Sequence, residues 1–195
     1  FLANIRNTNA IIHVLRCFEN DNITHVDGSI DPVRDKGIID TELQLKDLET
    51  TENRLAKTQK QAVVGGDKQA KRAVEILLQY KAVLEQGLSA RTVELEKEDR
   101  KLVADLNLLT DKPVLYVCNV DEKSAVTGNE HTRAVEAAIA DERAEMLVVA
   151  AATEADIAEL DEYEERQMFL EEIGLKESGV ARLIKAAYKL LDLQT

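Results

Sequence analysis

Pro113-Val114-Leu115-Tyr116-Val117-Cys118-Asn119-Val120-Asp121-Glu122 is the stretch that decides the fold. From Pro113 to Cys118 it is almost continuously apolar, the pattern of a strand buried on both faces of a parallel sheet, where alternation is lost because neither face meets water. Asn119 to Glu122 then turns polar. In open α/β sheets ligands bind just beyond the carboxyl ends of the strands, so this tetrapeptide stands where a ligand would. The Asn119 amide donates and accepts at once, matching the mixed edge of a purine, and the Glu122 carboxylate accepts from ring or exocyclic N–H groups. Val120 offers aliphatic surface to the base plane. By itself Asn-x-x-Glu also describes an ordinary turn after a strand, which is the commoner case.

Two further apolar runs, Ala10 to Phe18 and Met146 to Ala151, predict strands of the same sheet, with helical patterns between and after them as in βαβ units. The expected order is strand, long helical excursion, strand with its helix Asn129 to Arg143, strand, and two terminal helices. Three strands make a small sheet for 195 residues, and more of it is expected before Phe1. The third run ends Ala150-Ala151-Ala152-Thr153. Small residues there let backbone N–H groups approach a base edge, although a small-residue strand end under a helix is the simpler reading. Asn119 and Ala150 fall at successive strand ends, and that ordering raises the pair above either part.

Residues 32 to 95 form the excursion. Pro32 suits a first helical turn, where its missing N–H is no loss. Leu48, Leu55 and Ala62 repeat every seven residues, and after Gly65-Gly66-Asp67 a second run places Ala70, Val74, Leu77, Tyr80 and Leu84 at helical spacing, ending at Gly87. The pattern predicts an antiparallel, coiled-coil-like helical hairpin inserted into the sheet domain. A third helix, Glu96 to Leu109, returns the chain and stops before Pro113. The fold class is thus α/β, a partial parallel sheet carrying an inserted α-helical hairpin, with 1–31 and 96–195 as the sheet domain and 32–95 as the hairpin.

Composition is that of a globular chain, 45% hydrophobic and 32% charged, and no apolar run nears the roughly 18–20 residues of a membrane span. No signal peptide is visible, so a cytoplasmic protein is expected. A formal net charge of −12, with basic residues massed only at Lys68, Lys71 and Arg72, disfavours direct nucleic-acid binding by this segment. Cys17 and Cys118 lie in apolar runs and are expected as buried, reduced thiols. The carboxylates between Glu154 and Glu172 are expected to form a solvated helix face, without the histidines or ligand spacing of a metal site. His13, His25 and His131 stand near no nucleophile at readable spacing, and Ser89, Ser124 and Ser178 lack an elbow motif. Nowhere does the sequence show the GxxxxGK[ST] loop that cradles phosphates.

The runs Phe1 to Arg6, His13 to Phe18, Asp31 to Asp35, Pro113 to Glu122, Glu154 to Asp161 and Gly179 to Leu193 resemble the YchF or Obg-like ATPase family of P-loop proteins across essentially the whole chain. The resemblance implies a GTPase-like nucleotide-binding domain with an inserted helical hairpin and a C-terminal TGS domain. It implies ATP, or GTP, with Mg2+ as the cofactor of the parent protein, and the ribosome as a partner. The family carries Asn-x-x-Glu where most GTPases carry Asn-Lys-x-Asp, so Asn119 and Val120 would contact the purine. Ala150, Ala151 and Ala152 replace a Ser-Ala-Lys loop and lack its serine and lysine. The phosphate loop, the switch regions and the magnesium ligand would precede Phe1, and the TGS domain would follow Thr195. On this view the chain supplies no catalytic residue and is inactive alone. The alternative is a helical docking module whose nucleotide corner is vestigial or regulatory.

Overall fold

Three parallel strands carry the sheet: β1 (Ile11–Arg16), β2 (Val114–Asn119) and β3 (Glu145–Val149), in the order β1-β2-β3. They are drawn from a computed structural model that describes residues 2–24, 28–65, 67–142 and 144–193. Expectations that touch Phe1, His25, Gly66 and Arg143 lie outside the described residues. Because parallel neighbours need crossover connections, a helix must intervene between strands. The helices are α1 (Leu2–Arg6), α2 (Pro32–Gly65), α3 (Lys68–Glu85), α4 (Lys97–Val103), α5 (Glu130–Ala138), α6 (Ala151–Glu159), α7 (Tyr163–Glu172) and α8 (Gly179–Leu190).

The chain divides into two compact units, one made of Phe1–Asn9 and Gly37–Lys112, the other of Ala10–Lys36 and Pro113–Thr195. The sequence predicts the division after residues 31 and 95 instead. The later second boundary has a physical source: Ala90, Val93, Val103, Leu106 and Leu108 share one buried cluster with Leu55 of α2 and with Ile76, Leu77 and Tyr80 of α3.

In the sheet unit, β2 is buried from Val114 through Cys118, as its unbroken apolar run predicts. The partners of its two faces differ. Val114, Tyr116, Cys118 and Val120 pack with Leu15, Cys17, Val135 and Ile139 on one side, while Leu115 and Val117 meet Val149, Leu183 and Leu190 on the other. β1 departs from the expectation of burial on both faces: Ile12 is 45% and Val14 60% exposed. It pairs with β2 alone among the described strands, and only its Leu15 and Cys17 side joins the core. Both cysteines are free and buried. The neighbouring Cys118 thiol, together with burial, pushes the Cys17 thiol up and keeps it protonated. Lys36, itself buried, bonds Glu142 Oε1 at 2.5 Å, and the Tyr116 hydroxyl donates to Glu142 Oε2 at 2.9 Å, so a charge under the sheet is paired and hydrogen-bonded.

The hairpin unit is antiparallel, since Glu52 of α2 pairs with Lys81 of α3 at 2.7 Å while the earlier Gln44 reaches the later Gly87 carbonyl at 2.9 Å. The buried stripe of α2 runs Leu43, Asp47, Thr51, Leu55, Thr58 and Ala62, one residue off the predicted heptad at Leu48, in step with it at Leu55 and Ala62, and with three polar members. Asp47 explains one of them. Its carboxylate, fully buried, accepts from the Leu109 N–H at 2.8 Å, the Thr110 N–H at 2.7 Å and the Thr110 hydroxyl at 2.8 Å. Burial pushes this carboxyl above its ordinary range, against the pull of those donors and of Arg6. The same capture shortens the return helix. α4 ends at Val103, not Leu109, because a 3-10 turn and Asn107 at φ 47° break the helix and present the two N–H groups to Asp47.

Two substitutions separate a satisfied polar group from an unsatisfied one. Asp47→Ala strands buried donors, each costing about 1–3 kcal/mol, and is expected to lower unfolding free energy in urea by about 2–4 kcal/mol. Thr51→Val replaces a hydroxyl that is buried without a hydrogen-bond partner and should leave stability equal or higher. A Thr51→Val protein less stable than the parent by more than about 1 kcal/mol would contradict the assignment.

Candidate functional site

The strand ends lie side by side at the carboxyl edge of the sheet, with Arg16 opposite Asn119 and Asn119 opposite Val149. The ladder runs one step further: the Cys17 N–H donates to the Asn119 carbonyl at 2.7 Å and the Val120 N–H to the Val149 carbonyl at 2.9 Å. This fixes the backbone where the polar tetrapeptide begins. Arg16 is wholly engaged with the carbonyls of Phe18, Asn20 and Ile23, so it holds the following loop and leaves the corner uncharged from that side.

Asn119 does more than the sequence predicts. Its Oδ1 accepts from the Ala151 N–H at 3.0 Å. Ala150 is the N-cap of α6 and has no side-chain oxygen to offer, so a helix start that would leave its first N–H groups bare is capped from the neighbouring strand. The bond ties the two expected features together. It also orients the amide: with Oδ1 turned to Ala151, Nδ2 is left as the donor, and a second lone pair remains on Oδ1.

Of the other residues, Glu122 opens a short 3-10 turn, Glu122–Ser124, and is exposed, its carboxylate unpaired among the described residues. Asp121 Oδ1 caps that turn through the Ser124 N–H at 3.1 Å. Ala151 and Ala152 are exposed in the first turn of α6, while Ala150 is buried. β3 therefore ends at Val149, and Ala151 and Ala152 present N–H groups of a helix start, not of a strand end. Val120 needs correction. It is only 3% exposed and sits in the core beside Ala125, Val135 and Ala150, because the Val114, Tyr116 and Cys118 side of β2 continues inward past the strand end. Its side chain has no free surface for a base; only its backbone reaches the corner.

Two residues that shape the corner carry weak sequence signals. Glu154, expected on a solvated face, bonds the Gly179 N–H at 2.6 Å and the Val180 N–H at 3.2 Å, capping α8 beside the Ser178 cap on Ala181. A Cβ at Gly179 would lie 2.8 Å from Val149 Cγ1, so glycine alone allows α8 this close to β3. Asn129, expected only as a helix start, forms a capping box with Thr132 and sends Nδ2 to the Cys17 carbonyl at 2.7 Å. The Asn-x-x-Thr spacing announces the cap but not the second bond. His13 lies 5.6 Å from the Tyr116 ring and His131 faces Glu19 at 3.6 Å, and the two histidines stand apart from the corner. Among the described residues no group of three or more His, Cys, Asp or Glu could hold a metal, and no helix is long and apolar enough to cross a membrane.

The corner thus presents an amide donor, an unpaired carboxylate and helix-start N–H groups within one rim. That set complements a flat ligand bearing both an acceptor and an exocyclic amine, the edge that a purine shows. Nothing among the described residues at this rim is arranged to hold phosphates.

No protein-family model matches the chain. Its whole length is 49% identical to a Bacillus subtilis protein named "Ribosome-binding ATPase YchF", and 46% identical to the protein of that name from Escherichia coli O157:H7. It spans about half the length of these curated relatives, 53% of each. The solved "Schizosaccharomyces pombe YchF GTPase" superposes with a TM-score of 0.86 at 26% identity, over 97% of this chain and 52% of that one. The fold is accordingly that of part of a P-loop GTPase-like domain. The relatives' names divide between ATPase and GTPase, which puts the question of base choice at the corner.

The cap on α6 can be weighed on its own. Asn119→Ala should lower unfolding free energy by about 0.5–2 kcal/mol, the usual cost of losing an N-cap. Asn119→Asp, whose carboxylate still accepts from Ala151 and favours a helix start, should recover most of it in the same urea titration. Equal stabilities for the alanine variant and the parent would show that α6 has no need of the bond.

Proposed function

We propose that this chain, homologous over its whole length to about half of each YchF relative, is the purine-reading part of a cytoplasmic nucleoside triphosphatase. The observation that carries this is the Asn119 amide, whose Oδ1 accepts from the Ala151 N–H so that Nδ2 is the group left to donate, three residues before the exposed Glu122 carboxylate. Nδ2 donates to the purine N7, and Glu122 accepts from the exocyclic amine of adenine. Guanine offers an oxygen at that place and its N–H donors lie elsewhere on the ring, so the reach of the acidic side chain selects the base. ATP is the preferred nucleotide and GTP the weaker one. The Ala152 N–H lines the rim beside Ala151, whose own N–H is taken by Asn119, and Val120 contributes main chain only.

Phosphates and Mg2+ are held by parts of the protein other than these residues. Phosphoryl transfer rests on positioned phosphates and their metal, so the chain alone binds the base weakly and hydrolyses nothing. What its own residues do is orient the purine and choose it.

A second reading rests on the hairpin unit. Ile38 and Leu45 on α2, and Leu78 on α3, are large apolar side chains left exposed and available to a partner. The hairpin, residues 32–95, then docks a macromolecular partner. The ribosome that names the bacterial relatives is the first to test.

In the full-length protein, Glu122→Asp withdraws the carboxylate by one methylene and should shift the ratio of ATP to GTP affinity toward GTP by about tenfold, the effect of one misplaced hydrogen bond to a charged group. Calorimetric titration with each nucleotide measures the ratio. Identical ratios in parent and variant would remove Glu122 from the site. For the hairpin, the pair Leu45→Glu and Leu78→Glu should abolish co-sedimentation with ribosomes while nucleotide affinity stays at the parental value. Retained co-sedimentation would reject the docking role.

A further inference from the structure

The loop that carries Glu122 is held at both ends, and only one end is accounted for by Asn119. The other is Asn129. Its backbone N–H donates to the Thr132 hydroxyl at 2.9 Å and its Oδ1 accepts from the Thr132 N–H at 3.1 Å, which completes the cap of α5. The cap leaves Nδ2 free, and this group reaches across to the Cys17 carbonyl at 2.7 Å, with the Ser124 hydroxyl at 3.5 Å. One side chain therefore joins the end of β1, the 3-10 turn of Glu122 and the start of α5. Gly128 lets it do so. It adopts φ 67°, and a Cβ there would fall 2.3 Å from Thr132 Oγ1, inside the capping box.

Between Asn119 and Asn129 the loop touches the core at Val120 and Ala125 alone; Asp121, Glu122 and Lys123 are exposed. Val120 follows the strand ladder and Ala125 is a methyl group. Asp121 caps the turn internally through the Ser124 N–H. The bond to Cys17 ties the far end of the loop to the sheet edge, because Cys17 is itself fixed to Asn119 through its N–H. A closed circuit results, from Asn119 to Cys17, to Asn129, and back along the loop through Glu122.

We infer that Asn129 is a positioning residue for base selection: its clamp on the Cys17 carbonyl fixes how far the Glu122 carboxylate stands from Asn119, and so which purine the corner accepts. Asn129 touches no nucleotide itself. The role rests on the purine-reading corner proposed above, and it adds a residue whose helix cap and whose clamp are chemically separable. Serine and aspartate cap helices as well as asparagine does. Serine is too short to reach Cys17, and aspartate presents an oxygen to a carbonyl oxygen.

The test compares full-length parent, Asn129→Ser and Asn129→Asp for binding of ATP, GTP and inorganic tripolyphosphate, which has no base, alongside urea unfolding. Both variants should fold, with unfolding midpoints lowered by no more than the loss of the one bond to Cys17 accounts for, and should keep the parental tripolyphosphate affinity. The ATP-to-GTP affinity ratio should fall about fivefold in the serine variant, the worth of one neutral hydrogen bond, and further in the aspartate variant, where repulsion replaces it. An unchanged ratio in both overturns the inference, as does an equal loss for all three ligands or a failure of both variants to fold, each of which makes Asn129 part of the fold only. A parent that binds tripolyphosphate but shows no added affinity for ATP or GTP instead rejects the corner, and the positioning role with it.

Discussion

The sheet unit depends on β2. Among the described strands it is the one bonded along both edges, and the one whose side chains are buried on both faces. A parallel strand in that position cannot be reached by a tight turn, so the chain must leave and return on each side of it. The long excursion through α2 and α3 precedes it, and α5 follows it. Its carboxyl end has nowhere to go but the rim, where the ladder carries on for one more bond on either side. The site is thus a by-product of the way the core is closed.

On the proposed reading, fold and function share the Asn119 side chain. A helix whose N-cap is alanine begins at a cost, and the amide of the neighbouring strand offsets it. The same bond fixes which end of the amide is engaged and leaves Nδ2 as its donor. The simple account of Asn119 as a turn residue and the proposed account of it as a base contact are therefore not rivals; on the proposed reading the structural bond prepares the ligand-facing one. A site arranged this way needs little ordering when a base arrives, which is the advantage of preorganised donors. The pairing of Glu154 with the start of α8 repeats the device, with a carboxylate from one helix serving the bare N–H groups of another.

How much of this is legible in the sequence follows from range. The unbroken apolar run of β2, the polar break at Asn119 and the helical spacing of α3 are local patterns, and the structure has them within a residue or two. Side-chain roles set by distant partners are not local. Asp47 and Thr51 occupy the buried seam of α2, where a heptad count expects apolar residues, because the partner of Asp47 lies at Leu109 and Thr110. Glu154 sits among many acidic residues and only the approach of Gly179 distinguishes it. Val120 reads as exposed after a strand end, yet the strand's own alternation carries it inward. Asn129 reads as a cap, and the bond that joins it to Cys17 crosses 112 residues of sequence.

The central claim is that a purine base lies against Asn119 and the start of α6. The most direct measurement is the 15N-resolved NMR spectrum of the full-length protein during addition of ATP. The account predicts saturable shifts of the Asn119 side-chain amide and of the Ala151 and Ala152 backbone amides, all following one binding curve. Saturation of the protein with ATP while those resonances stay in place would contradict it.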